Sequence, residues 1–471
     1  MKHPTLRLAL LTTAAVLGGC TSFSPDGGFA AVEQTTRDKL GKSLLWARSE
    51  ADQQAIDLRV AELLAQPLSV DDAVQVALLN NRGLQASFHE LGITEAELVQ
   101  AGRLPNPGFS LARLRRGDEV EQERGLHLNI AALIAMPFVV ELQTRRLAQT
   151  QGWVAMGVLQ LAADTRKAYY SALAAEQTVR YQRQVRQAAD ASAELARRME
   201  QVGNFNKLQR AREQMFSADA ALNLARAEQA QRATRERLTR LLGVWGAQAG
   251  FSLPERLPDL PKTVLDLPDI ERQALAQRLD VQGARLATEQ TARQLGLTQT
   301  TRFINVLDLG LRHNGSNQLP SQRGWEISFE LPLFDWGGAR LARAEAVYLQ
   351  ALHRAAETAI NARSEVREAY AGYRTAHDIA RYQRDEVVPL NQRISEENLL
   401  RYNGMLIGVF ELLADARSQI ASVNAAIQAL RDFWIAQADL DMAMIGKPSL
   451  AAAATAPTSM TSTADTTGAG H

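Results

Sequence analysis

The feature that most constrains this chain is a long stretch without helix-breaking residues. From Phe138 to Val202 the sequence is rich in Ala, Leu, Gln, Arg and Glu, and it predicts one helix of about 65 residues. At 1.5 Å per residue such a helix would be roughly 95 Å long, and it is stable only when it packs against other helices. Gly203-Asn204 ends it, and a second helix is predicted over residues 207–242. We therefore predict a long helical hairpin over residues 138–243.

The chain then repeats this pattern. Arg180-Tyr181-Gln182-Arg183 recurs as Arg381-Tyr382-Gln383-Arg384 at a shift of 201 residues, and Ala77-Leu78 recurs as Ala274-Leu275 at a shift of 197. Several matches in order at nearly one offset indicate a duplication. Each half has a first helix, two short alternating stretches and a long hairpin; in the first half the helix begins at Ser69 and runs to about residue 101. The predicted repeats are residues 67–267, which end in a Pro-rich linker, and residues 268–448, whose hairpin covers residues 334–446.

Two short stretches in each half alternate apolar and polar residues. In the clearest one, Trp325, Ile327, Phe329 and Leu331 form one side, while Glu326, Ser328 and Glu330 form the other. We predict strands at about residues 108–116, 125–135, 303–312 and 324–333. This pattern fits a strand on a soluble core, which it favours when taken alone, and it also fits a transmembrane β-barrel strand. Four strands are too few to close a barrel, which needs about eight, so membrane insertion requires several chains to share one barrel.

The N-terminal residues have the pattern of a processing signal. Lys2 and Arg7 flank the start of a short apolar stretch that ends in Leu17-Gly18-Gly19-Cys20, which resembles a bacterial lipobox. The alternative is an ordinary secretory signal in which Cys20 is incidental. The lipobox resemblance implies a signal peptide over residues 1–19, a lipid on Cys20 and a tether over residues 20–66. Because Thr21 and not Asp follows the cysteine, it also implies the periplasmic face of the outer membrane.

Composition excludes several other classes of protein. Lys plus Arg and Asp plus Glu both number 52, so the chain lacks the basic excess that drives nucleic-acid binding. Its single cysteine excludes internal disulfides and cysteine-based metal clusters. None of the seven histidines pair at the spacing of a helical metal site, and the chain has no phosphate-binding, dinucleotide-binding or nucleophile-elbow motif. We therefore predict no enzyme activity, no cofactor and no metal site. The Ala/Thr/Ser/Gly-rich tail over residues 449–471 is predicted to be disordered.

Together these features resemble the TolC-like outer-membrane efflux proteins. The residues that carry the resemblance are 67–81, Pro105-Asn106-Pro107, 331–338 and 402–413, within a similarity that covers about residues 67–447. It implies a mainly α fold with a small β part, in which the unit of helix, two strands and long helical hairpin is duplicated. It also implies a trimer that forms a shared twelve-stranded outer-membrane β-barrel on a twelve-helix periplasmic tunnel.

The resemblance further implies the function of a passive exit channel. Such a channel belongs to a tripartite efflux system and docks on a periplasmic adaptor (membrane fusion) protein and on an inner-membrane pump, here of the RND type. The protein would be anchored by lipid in the bacterial outer membrane and would extend into the periplasm. Two alternatives remain open at this stage. One is a type I protein-secretion duct of the same architecture, and the other is a periplasmic coiled-coil lipoprotein that does not conduct.

The resemblance also assigns candidate functional residues. In the family, carboxylates just past the second hairpin tip surround the closed periplasmic aperture. Alignment on Tyr402 places Glu411 at the first such position, whereas Ala414 occupies the second and Asp415 follows it. Both acids would equally suit a solvated helix face. The predicted tip turns are Gly203, Asn204, Asn403 and Gly404, and the predicted barrel-lumen residues are His127, Asn129, Asp308, Arg312, Glu326 and Glu330.

The two predicted hairpins carry opposite net charges. Residues 138–243 contain 17 basic and 10 acidic residues, a net charge of +7, whereas residues 334–446 contain 12 basic and 15 acidic residues, a net charge of −3. In a ring of alternating hairpins, neighbours would attract each other. We therefore hypothesise that this alternation favours correct assembly and makes the opening of the hairpin tips sensitive to salt. The alternative is that these charges lie on ordinary solvated helix faces.

Overall fold

The computed structural model describes residues 22–301, 307–329 and 334–448. The signal region with Cys20, the strand residue Glu330 and the tail over residues 449–471 lie outside these ranges. The first half contains α1 (Ala30–Leu40), α2 (Glu50–Leu64), α3 (Val70–Asn80), α4 (Arg82–Ala101), β1 (Gly108–Arg116), β2 (Glu119–Asn129), α5 (Ile130–Gln201) and α6 (Lys207–Leu242). The second half contains α7 (Ile270–Gln277), α8 (Leu279–Thr301), β3 (Leu307–Ser316), β4 (Gln322–Phe329), α9 (Gly338–Tyr382), α10 (Val388–Asn403) and α11 (Val409–Ile445). The mainly helical fold with a small sheet is confirmed.

From α3 onward the second half repeats the order of elements in the first, except that a π-helical turn over Gln383–Val387 divides the first arm of its hairpin into α9 and α10. A single helical segment was predicted before the strands, but the structure divides it into two helices in each half, α3–α4 and α7–α8. In the first half the break falls at Asn81, whose backbone is extended and whose Oδ1 accepts a hydrogen bond from the Leu84 N–H at 3.0 Å. An N-cap of this kind starts a new helix in a new direction.

The first hairpin is longer than the sequence predicts. Helix α5 has 72 residues and begins at Ile130, because the Asn129 side chain accepts a hydrogen bond from the Ala132 N–H at 2.7 Å and caps it. Strand β2 therefore spans Glu119–Asn129, and the strand predicted over residues 125–135 was placed about six residues too late. The segment after Asn129 is rich in Ala and has no strict alternation, so its helical preference prevails. Pro137 lies inside this helix.

The four strands form one antiparallel sheet in the order β1-β2-β3-β4. Its register pairs Phe109 with Leu126, Leu126 with Leu311, and Leu311 with Trp325. The described part of β3 ends at residue 316, four residues beyond the predicted end, and β4 begins at residue 322, two residues before the predicted start. The predicted strand residues 303–306 and 330–333 lie outside the described ranges. The prediction missed these ends because polar residues continue the two strands past their apolar part.

The main hydrophobic core lies where the long hairpin of the first half crosses α3. Leu68, Val76, Tyr169, Leu173 and Leu242 are all buried there. The Tyr169 hydroxyl donates a hydrogen bond to the Leu68 carbonyl oxygen at 2.9 Å, and burial raises the pKa of Tyr169 well above its ordinary value. The satisfied hydroxyl fixes α5 against the start of α3.

The segment that was predicted to be a tether is packed against the body of the protein over its described part. Helices α1 and α2 cover much of residues 22–66, and Phe29, Val32 and Leu44 share a core with Phe88 and Val158. The tether prediction is therefore wrong for these residues. Their buried apolar side chains are few and widely spaced among polar ones, so the sequence shows only a weak pattern of apolar residues that would predict packing.

Ion pairs join the two hairpins within the chain. Lys167 of α5 lies 2.9 Å from Asp439 of α11, and Arg166 lies 3.8 Å from Asp441. Lys167 is the more buried of the two cations, and buried pairs are screened less by salt. In both pairs the cation belongs to the basic first hairpin and the anion to the acidic second one.

A fully buried arginine anchors the second half. The side chain of Arg278, at the α7–α8 junction, is 1% exposed, and its guanidinium lies 2.6 Å from Glu365 and 2.7 Å from Asp280. Removing one partner of such a buried cluster leaves an uncompensated charge, which costs about 3–5 kcal/mol. This cluster holds α9 against the short helices that precede the second pair of strands. In the described ranges, no helix is both long and apolar enough to cross a bilayer.

We expect Gly243→Ala to destabilise the protein. Gly243 ends α6 with a φ of +68°, and an added Cβ would lie 2.7 Å from the Asn80 carbonyl oxygen. The left-handed backbone and this collision together should lower the free energy of unfolding by about 2 kcal/mol. Thermal unfolding followed by circular dichroism measures the effect.

Gly157→Ala is the matched control, because Gly157 lies within α5 and its added Cβ would have no neighbour within 4 Å. That variant should unfold at the same temperature as the parent protein or above it, since Ala favours helix over Gly by about 1 kcal/mol. Equal stability of the two variants would contradict the proposed role of Gly243.

Candidate functional site: a two-faced sheet and two hairpin tips

One face of the sheet is apolar and exposed. The row Phe109, Leu126, Leu311 and Trp325 runs across all four strands, and Trp325 keeps 72% of its surface exposed. Leu309 and Ile327 lie in the next row on the same face. Large apolar side chains in contiguous rows are rarely left exposed to water in a soluble protein. This face therefore requires an apolar surrounding.

The opposite face is polar and internally paired. The guanidinium of Arg312 lies 2.5 Å from the carboxylate of Glu326 on the neighbouring strand. Across β1 and β2, the Ser110 hydroxyl and His127 Nε2 lie 3.0 Å apart. Because polar groups on this face bind one another, the sheet has two faces of opposite chemistry.

Two glycines make room on the polar face. Gly125 and Gly310 are buried beneath the ring of His127, and a Cβ on Gly125 would lie 2.9 Å from its Nε2 atom. A Cβ on Gly310 would lie 3.1 Å from its Nδ1 atom. The small residues allow the imidazole to lie across the neighbouring strands. The sequence contains both glycines, but only the strand register shows that they meet the same histidine.

The predicted lumen residues share this polar face. By register, His127, Asp308 and Glu326 alternate with the apolar rows and lie on the same side as Asn129 and Arg312. Glu330, the sixth predicted residue, lies outside the described ranges. The structure brings five predicted residues together on one surface, and their assignment to a channel lumen remains a prediction.

The first hairpin tip is a tight turn. Gly203 has a φ of +80°, which favours glycine, and the Asn204 N–H donates to the Met199 carbonyl oxygen at 2.8 Å. Asn206 then caps α6 by accepting a hydrogen bond from the Gln209 N–H at 2.9 Å. The predicted turn at Gly203-Asn204 is present in the structure.

The second tip is built differently from the first. Asn403 is the last residue of α10, and Gly404 has an ordinary φ of −79°. The left-handed position is taken by Met405, with a φ of +59° and 94% of its surface exposed. A non-glycine residue in this conformation costs about 1–2 kcal/mol. The duplication aligns Gly404 with Gly203, so the sequence predicted the turn at Gly404. It gave no sign that Met405 takes the left-handed conformation.

The two candidate aperture acids differ in environment. Glu411, in the first turn of α11, is exposed, whereas Asp415 is 8% exposed and its Oδ2 atom has no hydrogen-bond partner among the described residues. A buried carboxylate oxygen without a partner is costly and is found at strained or functional positions. Nearby, the guanidinium of Arg417 lies over the Phe216 ring at 4.6 Å, which fixes this end of α11 on the first hairpin.

Among the described residues, the His, Cys, Asp and Glu side chains form no group of three or more that is arranged to hold a metal ion. The candidate site consists of the two faces of the sheet and the two hairpin turns. Its features are exposed apolar side chains, paired polar side chains and the buried Asp415 near the second turn.

Comparison with solved structures identifies the fold. A membrane protein from Pseudomonas aeruginosa superposes with a TM-score of 0.69 and 20% identity, over 80% of this chain and 92% of that one. The open state of the MtrE outer membrane channel of Neisseria gonorrhoeae gives a TM-score of 0.68 and 18% identity, over 80% of this chain and 89% of that one. The chain therefore has the fold of these outer-membrane proteins, and its resemblance to the TolC-like family is confirmed at the level of the fold.

A curated relative is named in more specific terms. The chain is 25% identical over 292 residues to the cobalt-zinc-cadmium resistance protein CzcC of Cupriavidus metallidurans. The match spans 58% of this chain and 64% of the length of that relative. No protein-family model matches the chain.

The two faces of β4 predict opposite reactivity of adjacent cysteines. Ile327 lies on the apolar face and Ser328 on the polar one. If lipid covers the apolar face, a charged methanethiosulfonate reagent should modify Ser328→Cys and leave Ile327→Cys unmodified in liposomes. The parent protein, whose single cysteine is Cys20, gives the background labelling.

Both variants should react after unfolding in detergent, which shows that each thiol is intact. Equal rates for the two variants in liposomes would contradict a lipid-covered apolar face.

Proposed function

We propose that this chain is one protomer of a trimeric outer-membrane exit channel in a tripartite efflux system. The observation that carries the proposal is the sheet, whose exposed apolar face and paired polar face suit lipid on one side and water on the other. The strands connect to helical hairpins long enough to reach far from the membrane. The relatives support the same role, since the solved structures include outer membrane channels.

The open edges of the sheet support an oligomer, and a trimer is the assembly that the resemblance to the TolC-like family implies. Strands β1 and β4 each have one neighbour within the chain, so their outer edges carry unpaired backbone groups. In a bilayer such groups must be satisfied, and four strands cannot close on themselves. Pairing β4 of one copy with β1 of the next closes a barrel, and three copies give twelve strands. The hairpins below would then form the periplasmic tunnel.

The tip residues would form the gate at the periplasmic end. Three copies of Glu411 around a threefold axis would attract cations and repel each other. Asp415 would act from within the tip, because its buried and unpartnered oxygen favours a rearrangement that exposes it to water. The turns at Gly203-Asn204 and Asn403-Gly404 would face the periplasmic adaptor. The inner-membrane pump, of the RND type, would engage the channel through or beside that adaptor.

The name of the CzcC relative favours divalent metal cations as the cargo. A cation-attracting aperture agrees with that choice. The channel would act as a passive duct, and selection of the cargo would belong to the pump and the adaptor. A type I protein-secretion duct would use the same architecture. A non-conducting coiled-coil lipoprotein is disfavoured by the exposed apolar rows of the sheet.

We also propose that Cys20 is lipidated after removal of residues 1–19. Its support is the sequence Leu17-Gly18-Gly19-Cys20 after an apolar stretch. The lipid would anchor the protein in the outer membrane beside the barrel. Helices α1 and α2 pack on the body within a few tens of residues of this anchor, so the anchor would lie close to the wall of the channel.

Replacement of Glu411 should alter ion selectivity. In planar bilayers, Glu411→Gln should lower the permeability of cations relative to anions, because it removes three charges from the aperture. Asp415→Asn should have a smaller effect, since Asp415 is buried. Glu357→Gln, an exposed acid in the middle of α9, is the matched control and should leave selectivity unchanged.

The channel proposal fails under one clear result. An assembled trimer that shows no conductance, even when Glu411 and Asp415 are both replaced by Ala, would rule it out. If the trimer conducts but Glu411→Gln does not change selectivity, the channel stands and the aperture assignment is wrong.

Cys20→Ala should abolish the incorporation of labelled palmitate in growing cells, because the thiol is the attachment point. Thr21→Ala is the matched control and should retain the label. Retention of label in Cys20→Ala would overturn the anchor assignment.

A further inference from the structure

The apolar face of the sheet becomes basic toward the end that carries the β1–β2 and β3–β4 connections. The register places Arg124, His313 and Arg323 in one row across three strands, immediately beyond the row of Phe109 and Trp325. Arg113 and Arg115 continue the same face of β1 toward the connection. The sequence alternation ends there, so only the strand pairing reveals that these basic residues lie side by side.

The acids of the described strands all lie on the other face. By register they alternate with the arginines, and their side chains share the polar face with Ser110 and His127; they are Glu119, Glu121, Glu123, Asp308 and Glu326. The basic row therefore has no carboxylate on its own face. Arg124 and Arg323 flank His313 in this row, and like charges on nearby strands of one face repel each other. Such a row is stable when an anion from outside the chain lies against it.

The four arginines on this face of the sheet are not paired with acids. Arg113, Arg115, Arg124 and Arg323 form no ion pair with a carboxylate in the described part of the chain. Arg115 donates from Nε to the Gly117 carbonyl oxygen at 3.0 Å, and Arg124 donates to the Gln122 amide oxygen at 3.2 Å. Both acceptors are neutral. Each of these two hydrogen bonds uses one of the five N–H donors of its guanidinium. Donors remain for an anion, and guanidinium binds phosphate through two parallel bonds.

A groove on the sheet joins the basic row to the apolar rows. It has a volume of about 460 Å³ and is lined by Arg124, His313 and Arg323 together with Phe109, Leu126 and Leu311. Two backbone segments at Gly125 and Gly324, with Arg312, complete it. A ligand that fits this groove has an anionic end beside an apolar end. Phe109 and Leu311 expose 69% and 59% of their surfaces, so the apolar half is open along the sheet.

We propose that this basic row binds the phosphate groups of a phosphorylated membrane lipid, whose acyl chains cover the adjacent apolar rows. The proposal rests on the proposed function, because the face must meet lipid and the strand connections must lie away from the periplasmic hairpins. A free phosphate ion would use the arginines and leave the apolar half of the groove empty. A lipid satisfies both halves.

Assembly would extend the row into a ring. Pairing β4 of one copy with β1 of the next would bring Arg323 of one protomer beside Arg113 or Arg115 of its neighbour on the same face. Because the copies are identical, the neighbour adds cations and no acids to that face. The ring of bound phosphates would then neutralise a belt of charge at one boundary of the membrane.

Native mass spectrometry of the delipidated trimer tests the proposal, with diphosphorylated lipid A as the probe. The parent trimer should retain it more tightly than the monophosphorylated form, and phosphatidylcholine should not bind at this site. Arg124→Gln with Arg323→Gln should weaken retention by about tenfold for each arginine removed, as for a lost charged hydrogen bond. Millimolar inorganic phosphate should not displace the lipid.

Adjacent residues on opposite faces supply the control. Arg115→Gln should weaken retention, and Arg116→Gln, which makes the same charge change on the polar face, should not. Equal retention by the parent and the Arg124/Arg323 double variant, equal weakening by the Arg115 and Arg116 variants, or displacement by inorganic phosphate would each overturn the proposal.

The trimer mass and the bilayer conductance of every variant are recorded in parallel. A conducting trimer that does not discriminate between lipids overturns the lipid site and leaves the channel function intact. Absence of the trimer in the parent protein, or absence of conductance even when Glu411 and Asp415 are both replaced by Ala, instead overturns the proposed function. The two failures are therefore distinguishable.

Discussion

The length of α5 is the constraint on which the rest of the structure depends. A helix of 72 residues spans roughly 108 Å and cannot keep its apolar side chains from water by itself. It is therefore surrounded by shorter helices, which meet it at the core around Tyr169 and Leu173. The basic character of the first hairpin adds to this packing, because Lys167 meets Asp439 of α11. Burial and charge thus both hold shorter helices against α5.

The sheet is the second element with a strict physical requirement. Its faces differ in chemistry to the extent that no single solvent suits both. Trp325 and Phe329 require an apolar surrounding, while Arg312 and Glu326 require water or each other. Open edges on β1 and β4 add a demand for partner strands. A membrane and further copies of the chain meet all of these requirements together, which is why the proposed channel and the proposed lipid site follow from one surface.

Much of this architecture was predictable from local patterns. The hairpin turn at Gly203, the duplication and the shared face of His127 and Glu326 all depend on periodicity or on a single local conformation, which the sequence expresses directly. The predictions were wrong where a helix cap or a contact between distant residues determines the end of an element or its packing. Asn129 ends β2 early because its side chain caps α5, and residues 22–66 pack because α3, α4 and α5 present a matching apolar surface. The left-handed Met405 and the buried Asp415 have no local signal at all.

By itself, the sequence determined the periods of the elements. A period of 3.6 over long stretches requires paired helices, and a period of two over short stretches requires strands with two unlike faces. The tertiary structure decided what the period leaves open, which is the register. Because a shift of one residue would move every side chain to the other face, strand pairing alone placed Arg124, His313 and Arg323 in one row and the acids behind them. Register depends on contacts between distant segments, so it is settled only when the chain has folded.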